Sequence, residues 1–410
     1  QAIFSWASLP MDLIDTFFAS LSALVSSNFP EGVLTDLVSE GLIPGVGGVV
    51  IFVPQIALLF GFLAILEDTG YLSRVVFLMD RVMRPLGMHG KSVVPLISAL
   101  ACAIPSVMAA RTISNRKEKL ITILVAPWMS CSARLPVYII IIGLIIPDTT
   151  LFGISYQALA LLGMYVLGVV ATLGAAYLLN LLFRQDQKSY LLTELPIYRI
   201  PRWKAVGLTM FGKSKVFVLE AGKVILAVSV ILWVLASYGP PSRMAELETE
   251  KNEMMKSASS ESEMTELENS YASKALENSY IGIMGRAIEP VIKPLGYDWK
   301  IGIAIITSFA AREVFIGTLA TIYSIGEDAE EEITLREKLS QETRPDTGEK
   351  VFNFPTGISL MVFYAFAMQC MSTLAVVRRE TKSWKWPVYQ TLAMTAFAYL
   401  AALVTYQILS

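Results

Sequence analysis

LISALACAIPSVMAARTISNRKEKLITILVAPWMSCSARLP, residues 96–136, is the stretch that decides the fold. It is apolar enough for a membrane, yet Pro105, Pro127 and Pro136 interrupt it, and a basic loop divides it. A hydrocarbon layer tolerates broken backbone only where protein or a water-lined cavity covers it. A broken apolar segment that also carries polar side chains therefore predicts part of a permeation pathway.

The composition of the 410-residue chain is that of a membrane protein. Hydrophobic residues make up 54% and charged residues 17%, whereas soluble domains carry about 25% charged residues. Several apolar runs approach the roughly 20 residues that a spanning helix needs. The three cysteines all lie in apolar runs, so a secreted disulfide framework is not expected. We predict an all-α polytopic membrane protein.

Basic loops set the predicted sidedness, because lysine and arginine concentrate on the cytoplasmic side. The first half of the chain reads as a span, a re-entrant hairpin with basic flanks, and two more spans. The second half repeats this order, but its hairpin loop, residues 327–350, has nine acids and four bases. Opposite sidedness of the two hairpins predicts an inverted-topology repeat with two broken-helix gate motifs.

These runs also predict the region boundaries. The expected regions are the tail of a first membrane helix plus an interfacial helix at 1–46, a first gate repeat at 47–183, a cytoplasmic loop at 184–215, a second gate repeat at 216–238 and 298–410, an external polar insertion at 239–297, and an acidic external loop at 326–355. A packed amphipathic helix within the bundle is an equal alternative for residues 11–28. The opening residues read as the end of a helix, so the chain is expected to be a fragment.

Cys102, Cys131 and Cys370 are the candidate metal ligands. Each lies near an expected helix break, and laying MSCSA (129–133) on MQCMS (368–372) sets Cys131 opposite Cys370. Thiolate sulfur suits Fe(II), Zn(II) and Cu(I). The alternative is that each thiol is a small buried hydrophobe. A transient site is expected, because a transported ion must also leave.

Other residues are pathway or gate candidates because they are charged, polar or soft within apolar runs. They are Glu67, Asp68, Met129, Ser130, Arg134, Arg312, Glu313, Gln369, Met371 and Ser372. Buried charges also pair to fix packing, and such pairing, for instance of Arg134 with a carboxylate, is the alternative. Glu67 and Asp68 fit the headgroup boundary equally well. For His89 a solvated or structural role is expected rather than ligation.

Several enzyme classes lack support. The chain has no G-x-x-x-x-G-K-[ST] phosphate loop, no G-x-S-x-G element and no H-E-x-x-H element, so nucleotide hydrolysis and protease chemistry are not predicted. A transporter is expected, and neither an enzyme nor a nucleic-acid-binding protein.

Five stretches resemble one family in its order. They are LEDTGYLSRVVFLMDRVMRPLGMHGKSVVPLI (66–97), ACAIPSVMAAR (101–111), LVAPWMSCSARLPVY (124–138), FAAREVFIGTL (309–319) and FYAFAMQCMSTLAVVRRE (363–380). Together they resemble the membrane domain of the bacterial ferrous iron transport protein B family. The resemblance implies Fe(II) uptake across the bacterial inner membrane, paired gate motifs of the nucleoside-recognition type, and iron-ligand roles for the matching cysteines.

The resemblance also implies partners. The family carries a cytosolic GTP-binding domain ahead of this region, so GTP is expected to act only through that domain, with small accessory iron-transport proteins, membrane lipid and a homo-oligomer as further partners. Ala101 stands where the family's first gate has a glycine. Two other functions stay open: a carrier of nucleosides or other organic solutes with the same gates, and a membrane scaffold for a signalling GTPase.

Overall fold

The computed structural model describes residues 2–30, 32–147, 149–151, 154–183, 198–241, 243–244, 271–309, 312, 314–322, 336, 339–340, 342–343, 348, 350–368 and 370–410. The helices, in chain order, are α1 (Ala2–Asn28), α2 (Val33–Asp36), α3 (Ile43–Val50), α4 (Val53–Asp68), α5 (Tyr71–Met83), α6 (Val93–Ala101), α7 (Ala103–Ala109), α8 (Arg116–Val125), α9 (Leu135–Ile145), α10 (Tyr156–Leu182), α11 (Trp203–Ser237), α12 (Tyr280–Ile292), α13 (Trp299–Thr307), α14 (Val314–Ile322), α15 (Phe354–Phe366), α16 (Met371–Thr381) and α17 (Lys385–Leu409). A π-helical segment, Leu37–Leu42, joins α2 to α3. Two short strands, β1 (Thr150–Leu151) and β2 (Ile154–Ser155), form an antiparallel hairpin.

Seven helical stretches among the described residues are long and apolar enough to cross a membrane. They are Leu9–Asn28, Val33–Asp68, Arg116–Ile145, Tyr156–Leu182, Trp203–Ser237, Phe354–Thr381 and Lys385–Leu409. A stretch of this length spans the hydrocarbon core because each residue of a helix advances about 1.5 Å. The prediction of an all-α polytopic membrane protein is confirmed.

Two parts of the chain follow the same helix–turn–helix path. Tyr71 begins α5 and Tyr280 begins α12, and each helix runs into a 3-10 turn. The turns read RPLG (84–87) and KPLG (293–296), and both end on a glycine with positive φ, 72° at Gly87 and 83° at Gly296. Glycine adopts this backbone without the strain that a Cβ atom brings. These two segments share one local path, and the inverted-topology repeat stays a prediction.

The predicted helix breaks are present in both halves. Cys102 alone separates α6 from α7, and its backbone is extended (φ −158°, ψ 138°). The span Arg116–Ile145 breaks where Met129 turns extended (φ −63°, ψ 135°), and the span Phe354–Thr381 breaks where Ala367 takes nearly the same angles (−63°, 139°). The prolines explain the first-half breaks, because proline has no N–H and disfavours helical backbone before it.

The residues group into two units. Unit 1 comprises Gln1–Ser132, Val166–Val230 and Met371–Leu392, and unit 2 comprises Ala133–Tyr165, Ile231–Cys370 and Ala393–Ser410. Each unit has its own apolar core: Ala99, Val107, Ile121 and Val125 in unit 1, and Leu295, Ile301, Leu360 and Tyr364 in unit 2 are wholly buried. Each broken span changes unit at its break, because α8 and α16 belong to unit 1, and α9 and α15 to unit 2.

Two helices differ in extent from the segments expected at 1–46 and 184–215, and these region boundaries stay predictions. α1 is one continuous helix through Pro10, not a helix tail followed by a separate interfacial helix. Apolar residues continue on both sides of Pro10, so one missing N–H does not end the helix. α11 begins at Trp203, inside the predicted cytoplasmic loop 184–215. Its early lysines are compatible with a helix that extends beyond the membrane, since helical backbone is hydrogen-bonded internally.

The end of the predicted external insertion, 239–297, is helical. α12 packs against α13 and buries Ile281 and Ile292. Residues 245–270 lie outside the described part of the chain. The predicted acidic loop, 326–355, is described only in part, and there Leu339 and Val351 are buried while Lys300 pairs with Glu342 at 2.5 Å.

Candidate functional site

The first break leaves a backbone carbonyl without a helical donor. In a continuous helix the Ala101 carbonyl would accept from the N–H of residue 105, but that residue is proline and has no N–H. The Ser132 hydroxyl donates to the Ala101 carbonyl instead, at 2.8 Å. Cys102 follows Ala101 and Cys131 precedes Ser132. This hydrogen bond therefore joins the two cysteine-bearing breaks of unit 1.

A third element completes this contact. The Gln55 side-chain amide, on α4, donates from Nε2 to the Ser132 Oγ at 3.0 Å. Gln55, Ser132 and the Ala101 carbonyl thus form a polar chain through an apolar unit, which we call the Gln55–Ser132–Ala101 chain. Buried polar groups are costly unless they are hydrogen-bonded, so this chain fixes how α4, the hairpin and the broken span meet.

α10 packs directly on the break at Met129 in the span Arg116–Ile145. Gly168 is buried, and a Cβ atom there would lie 2.6 Å from Ser130 Oγ and 3.0 Å from Ser130 N. Thr172, one turn later, places its hydroxyl 3.8 Å from the Met129 sulfur. Ser130 is fully buried and Cys131 is 9% exposed. The absence of a side chain at position 168 lets α10 cover the break closely.

Pro127 leaves the Ile123 carbonyl without a helical donor, and a glutamine distant in sequence donates hydrogen bonds at this point. Without a proline N–H, the Ile123 carbonyl has no helical donor. Gln390, on α17, donates from Nε2 to the Leu124 carbonyl at 2.8 Å and to the Ile123 carbonyl at 3.4 Å. The Gln390 side chain is 5% exposed. A residue from the far end of the sequence therefore stabilises the end of α8.

Unit 2 holds its own break with an arginine. The Arg312 guanidinium, in the turn between α13 and α14, donates from Nη2 to the Ala367 carbonyl at 3.4 Å. Tyr364 also joins α15 to the end of α13, through a 3.0 Å hydrogen bond to the Ser308 hydroxyl. Cys370 is half-buried and immediately precedes α16. Within each unit, a side chain at one helix break therefore donates a hydrogen bond to a backbone carbonyl at a second break of that same unit.

The remaining predicted site residues lie elsewhere. Asp68 accepts from the Arg202 backbone at 2.6 Å and from its guanidinium at 3.0 Å, while Glu67 is exposed. This placement fits the headgroup-boundary alternative. Arg134 is fully buried at the start of α9, and its predicted pairing with a carboxylate stays a prediction.

The second-half candidates are only partly described. Met371 and Ser372 open α16, and Ser372 is buried. Glu313 and Gln369 lie outside the described residues. Cys370 belongs to unit 2, and a path shared by all three thiols stays a prediction.

An ion cluster joins two of the basic segments that the sequence places in the cytoplasm. Arg111, after α7, donates from Nε to Glu380 at 2.7 Å and from Nη2 to the same carboxylate, and Lys119 lies 3.8 Å from it. The Glu380 side chain is 5% exposed. The hydrogen bond from Arg111 to Glu380 raises the pKa of the guanidinium. α16 and the first hairpin are therefore fastened to each other at this end.

His89 caps a turn. Its Nδ1 accepts from the Lys91 backbone N–H at 3.0 Å, at the start of the 3-10 turn Gly90–Ser92. Burial lowers the pKa of His89, and Asp80 raises it in part. A neutral imidazole suits this cap, because protonated Nδ1 cannot accept a hydrogen bond.

The site differs from a preformed metal centre. Among the described residues, no three His, Cys, Asp or Glu side chains cluster as metal ligands. The Gln55–Ser132–Ala101 chain consists of a neutral hydroxyl, a neutral amide and a backbone carbonyl, whereas the Arg312 guanidinium holds the carbonyl in unit 2. Gln55, Ser132 and Gln390 were not among the predicted candidates, although the prolines that free their carbonyl partners are visible in the sequence.

Comparison with known proteins adds a family context. A family model described as "Gate: Nucleoside recognition" matches residues 49–145 and 218–384, and one described as "Ferrous iron transport protein B C terminus" matches residues 161–213. The Fe(2+) transporters FeoB of Leptospira interrogans and Leptospira biflexa are 42% and 43% identical over 409 residues, which cover all of this chain and 56% of each relative. That of Helicobacter pylori J99 is 34% identical over 397 residues, 95% of this chain and 59% of the relative.

One relative has a further part in its name. The Porphyromonas gingivalis "Fe(2+) transport protein A/Fe(2+) transporter FeoB fusion protein" is 35% identical over 416 residues, which cover all of this chain and 48% of the relative. The chain spans about half the length of these curated relatives. No solved structure matches the chain.

Proposed function

We propose, since this chain belongs to the ferrous iron transport protein B family, that it forms the membrane part of a permease that carries Fe(II) into the bacterial cell. It is a multi-pass protein of the bacterial inner membrane. Relatives that match its whole length are named Fe(2+) transporters. The transport reaction of the whole protein is inferred for this chain from that likeness and from the chemistry of the breaks.

One observation supports the ion path most directly. The hydrogen bond between Ser132 and the Ala101 carbonyl joins two breaks, each with a cysteine next to the bonded residue. Broken helices that present backbone carbonyls within the membrane are a recurring way to bind a cation in transport proteins. Cys102 and Cys131 add sulfur, which Fe(II) accepts as a ligand. Cys370 would supply the same chemistry in unit 2.

Binding at these thiols would be transient. A thiol must lose its proton to ligate a metal ion. The ion would therefore bind with proton release and leave with proton uptake. Weak binding of this kind is what conduction requires. Neutral oxygens around the sulfurs keep the affinity moderate.

The other components of the system are part of the proposal. A GTP-binding domain would drive or license opening of the breaks, and GTP would act only there. The fusion relative supports a small accessory iron-transport protein as a partner. Membrane lipid surrounds the spans, and a homo-oligomer is proposed.

The test is Fe(II) uptake by cells that lack other iron importers and express the full-length protein. Cys131→Ser is expected to lower uptake while the protein still reaches the membrane at wild-type abundance. A triple variant, with serine at Cys102, Cys131 and Cys370, should abolish it. Unchanged uptake in the triple variant would remove the thiols from the mechanism.

The description of the larger family model keeps a second candidate in view. Its words, nucleoside recognition, fit a carrier of nucleosides with the same breaks. Trp128 and Tyr138 are aromatic residues that flank the first span's break. Excess nucleoside is expected to leave Fe(II) uptake unchanged, whereas competition would favour the nucleoside carrier.

A further inference from the structure

We infer that the Gln55–Ser132–Ala101 chain is an oxygen site for the passing cation, and that its hydrogen bonds hold the site while no cation is bound. The inference rests on the proposed function and adds ligands to it. The three oxygen-bearing groups come from three separate elements: α4, the end of α6, and the turn after the first span's break. They meet although 77 residues separate Gln55 from Ser132.

The Ala101 carbonyl is the centre of this site. Pro105 deprives it of a helical donor, and a single serine hydroxyl takes that place at 2.8 Å. A neutral hydrogen bond of this kind contributes only modestly to stability. A cation can therefore displace the hydroxyl at small cost. The carbonyl oxygen then faces the ion with both lone pairs.

Ser132 and Gln55 can change from donors to ligands. When the Ser132 hydroxyl releases the carbonyl, its oxygen still has lone pairs for a cation. The Gln55 amide carries a carbonyl oxygen beside its donor nitrogen, so rotation about the last side-chain bond exchanges a hydrogen-bond donor for an oxygen ligand. The same three groups satisfy each other in one state and an ion in the other.

A second observation on the same hairpin supports an absent ligand. The Ser106 hydroxyl lies one helical turn after Cys102 and is fully buried, with no hydrogen-bond partner in the described part of the chain. A buried polar group without a partner has a free-energy cost. A cation that takes this oxygen, directly or through a water molecule, would remove that cost.

The mixture of sulfur and oxygen determines which ions pass. Thiolates alone favour Zn(II) and Cu(I), whereas oxygen ligands favour harder ions such as Mn(II). A site with both kinds of ligand suits Fe(II), which lies between these classes. Loss of the Ser132 oxygen should therefore shift the balance toward Zn(II), because sulfur then dominates the site. A purely structural role for Ser132 would lower the uptake of every metal by the same factor.

The experiment measures uptake of Fe(II), Mn(II) and Zn(II) by proteoliposomes that contain the full-length protein under anaerobic, reducing conditions. Ser132→Ala and Gln55→Leu are compared with Ser132→Thr, which keeps a hydroxyl. The matched control is Ser98→Ala, because Ser98 is a buried serine of the same hairpin whose hydroxyl bonds only its own helix, at the Val94 carbonyl.

The ratio of Fe(II) to Zn(II) uptake is expected to fall roughly tenfold in Ser132→Ala and Gln55→Leu, on the scale of other lost metal-site contacts. Ser132→Thr and Ser98→Ala should keep the wild-type ratio. Equal losses for all three metals, or unchanged ratios, would refute the oxygen site. Absence of Fe(II) uptake by vesicles with the wild-type protein would instead refute the proposed function. Loss of uptake in Cys131→Ser alone, with a normal uptake ratio in Ser132→Ala, would support the thiols as ligands and refute the oxygen site.

Discussion

Gly168→Ala is the sharpest test of how tightly α10 covers the break at Met129 in the span Arg116–Ile145. A methyl group at this position would lie 2.6 Å from the Ser130 hydroxyl oxygen and 3.0 Å from the Ser130 backbone nitrogen. Ordinary contacts of a Cβ atom begin at 3.4 Å. The hydroxyl can rotate away, but the backbone nitrogen cannot, so either α10 or the break must shift.

The expected cost follows from two opposing effects. Forcing one extra carbon into a packed interior typically costs about 1–3 kcal/mol. Alanine in a helix is about 0.5–1 kcal/mol more favourable than glycine, which offsets part of this cost. The control is Gly174→Ala on the same helix and in the same unit, because a Cβ atom there has nothing within 4 Å. Gly174→Ala should gain only the helix preference of alanine over glycine. The free energies of unfolding of the two variants should therefore differ by about 1–3 kcal/mol.

Thermal unfolding of both variants in detergent, followed by tryptophan fluorescence, measures this difference. Gly168→Ala should unfold at a lower temperature than the wild type, and Gly174→Ala at the same temperature or a higher one. Fe(II) uptake should fall in Gly168→Ala alone, because the break must move to accept the methyl group. If Gly168→Ala were as stable and as active as Gly174→Ala, the close packing of α10 on Ser130 would be refuted.

Three further outcomes follow from the same structure. Gln390→Leu should lower stability by about 1–3 kcal/mol, since two carbonyls lose their donor, whereas Thr391→Ala, which loses only a bond within its own helix, should change the unfolding temperature little. Glu380→Gln should also lower the free energy of unfolding, by roughly 1.5–3 kcal/mol, because charged hydrogen bonds are lost. High salt should reduce the difference in stability between this variant and the wild type. Burial lowers the pKa of His89 below its ordinary 6.5. The contribution of neutral His89 to stability is therefore present above pH 6.5 and is lost as the pH falls through the lowered pKa. His89→Asn keeps an acceptor but does not titrate, so it should reduce the pH dependence of the unfolding temperature below pH 6.5.

The breaks could be predicted from the sequence because their cause is local. Proline removes a donor from its own helix, so Pro105 and Pro127 mark the affected carbonyls in advance. The membrane class was equally accessible, since length and apolar composition decide it. The two similar turns also have a local signal, RPLG and KPLG. Both turns need a glycine at their end for the same positive φ.

The groups that occupy the freed carbonyls could not be predicted in the same way. Gln390 lies 266 residues from Leu124, and nothing in its own neighbourhood marks it as a partner. Gln55 and Ser132 are ordinary polar residues until the fold brings them to Ala101. A proline shows which oxygen needs a donor, but only tertiary structure determines which side chain supplies it. The same limit explains why Asp68 was a pathway candidate, although Arg202 pairs with it in the structure.

The two units hold their break carbonyls with different groups, which bears on the proposed oxygen site. In unit 1 the freed Ala101 carbonyl is held by a neutral hydroxyl, whereas in unit 2 the Ala367 carbonyl is held by the Arg312 guanidinium. A divalent cation that approaches the unit 2 carbonyl meets a fixed positive charge, which repels it strongly in a medium of low dielectric constant. At the unit 1 carbonyl the ion has only a weak neutral hydrogen bond to displace. The chemistry of these two hydrogen bonds therefore favours unit 1 for the proposed oxygen site.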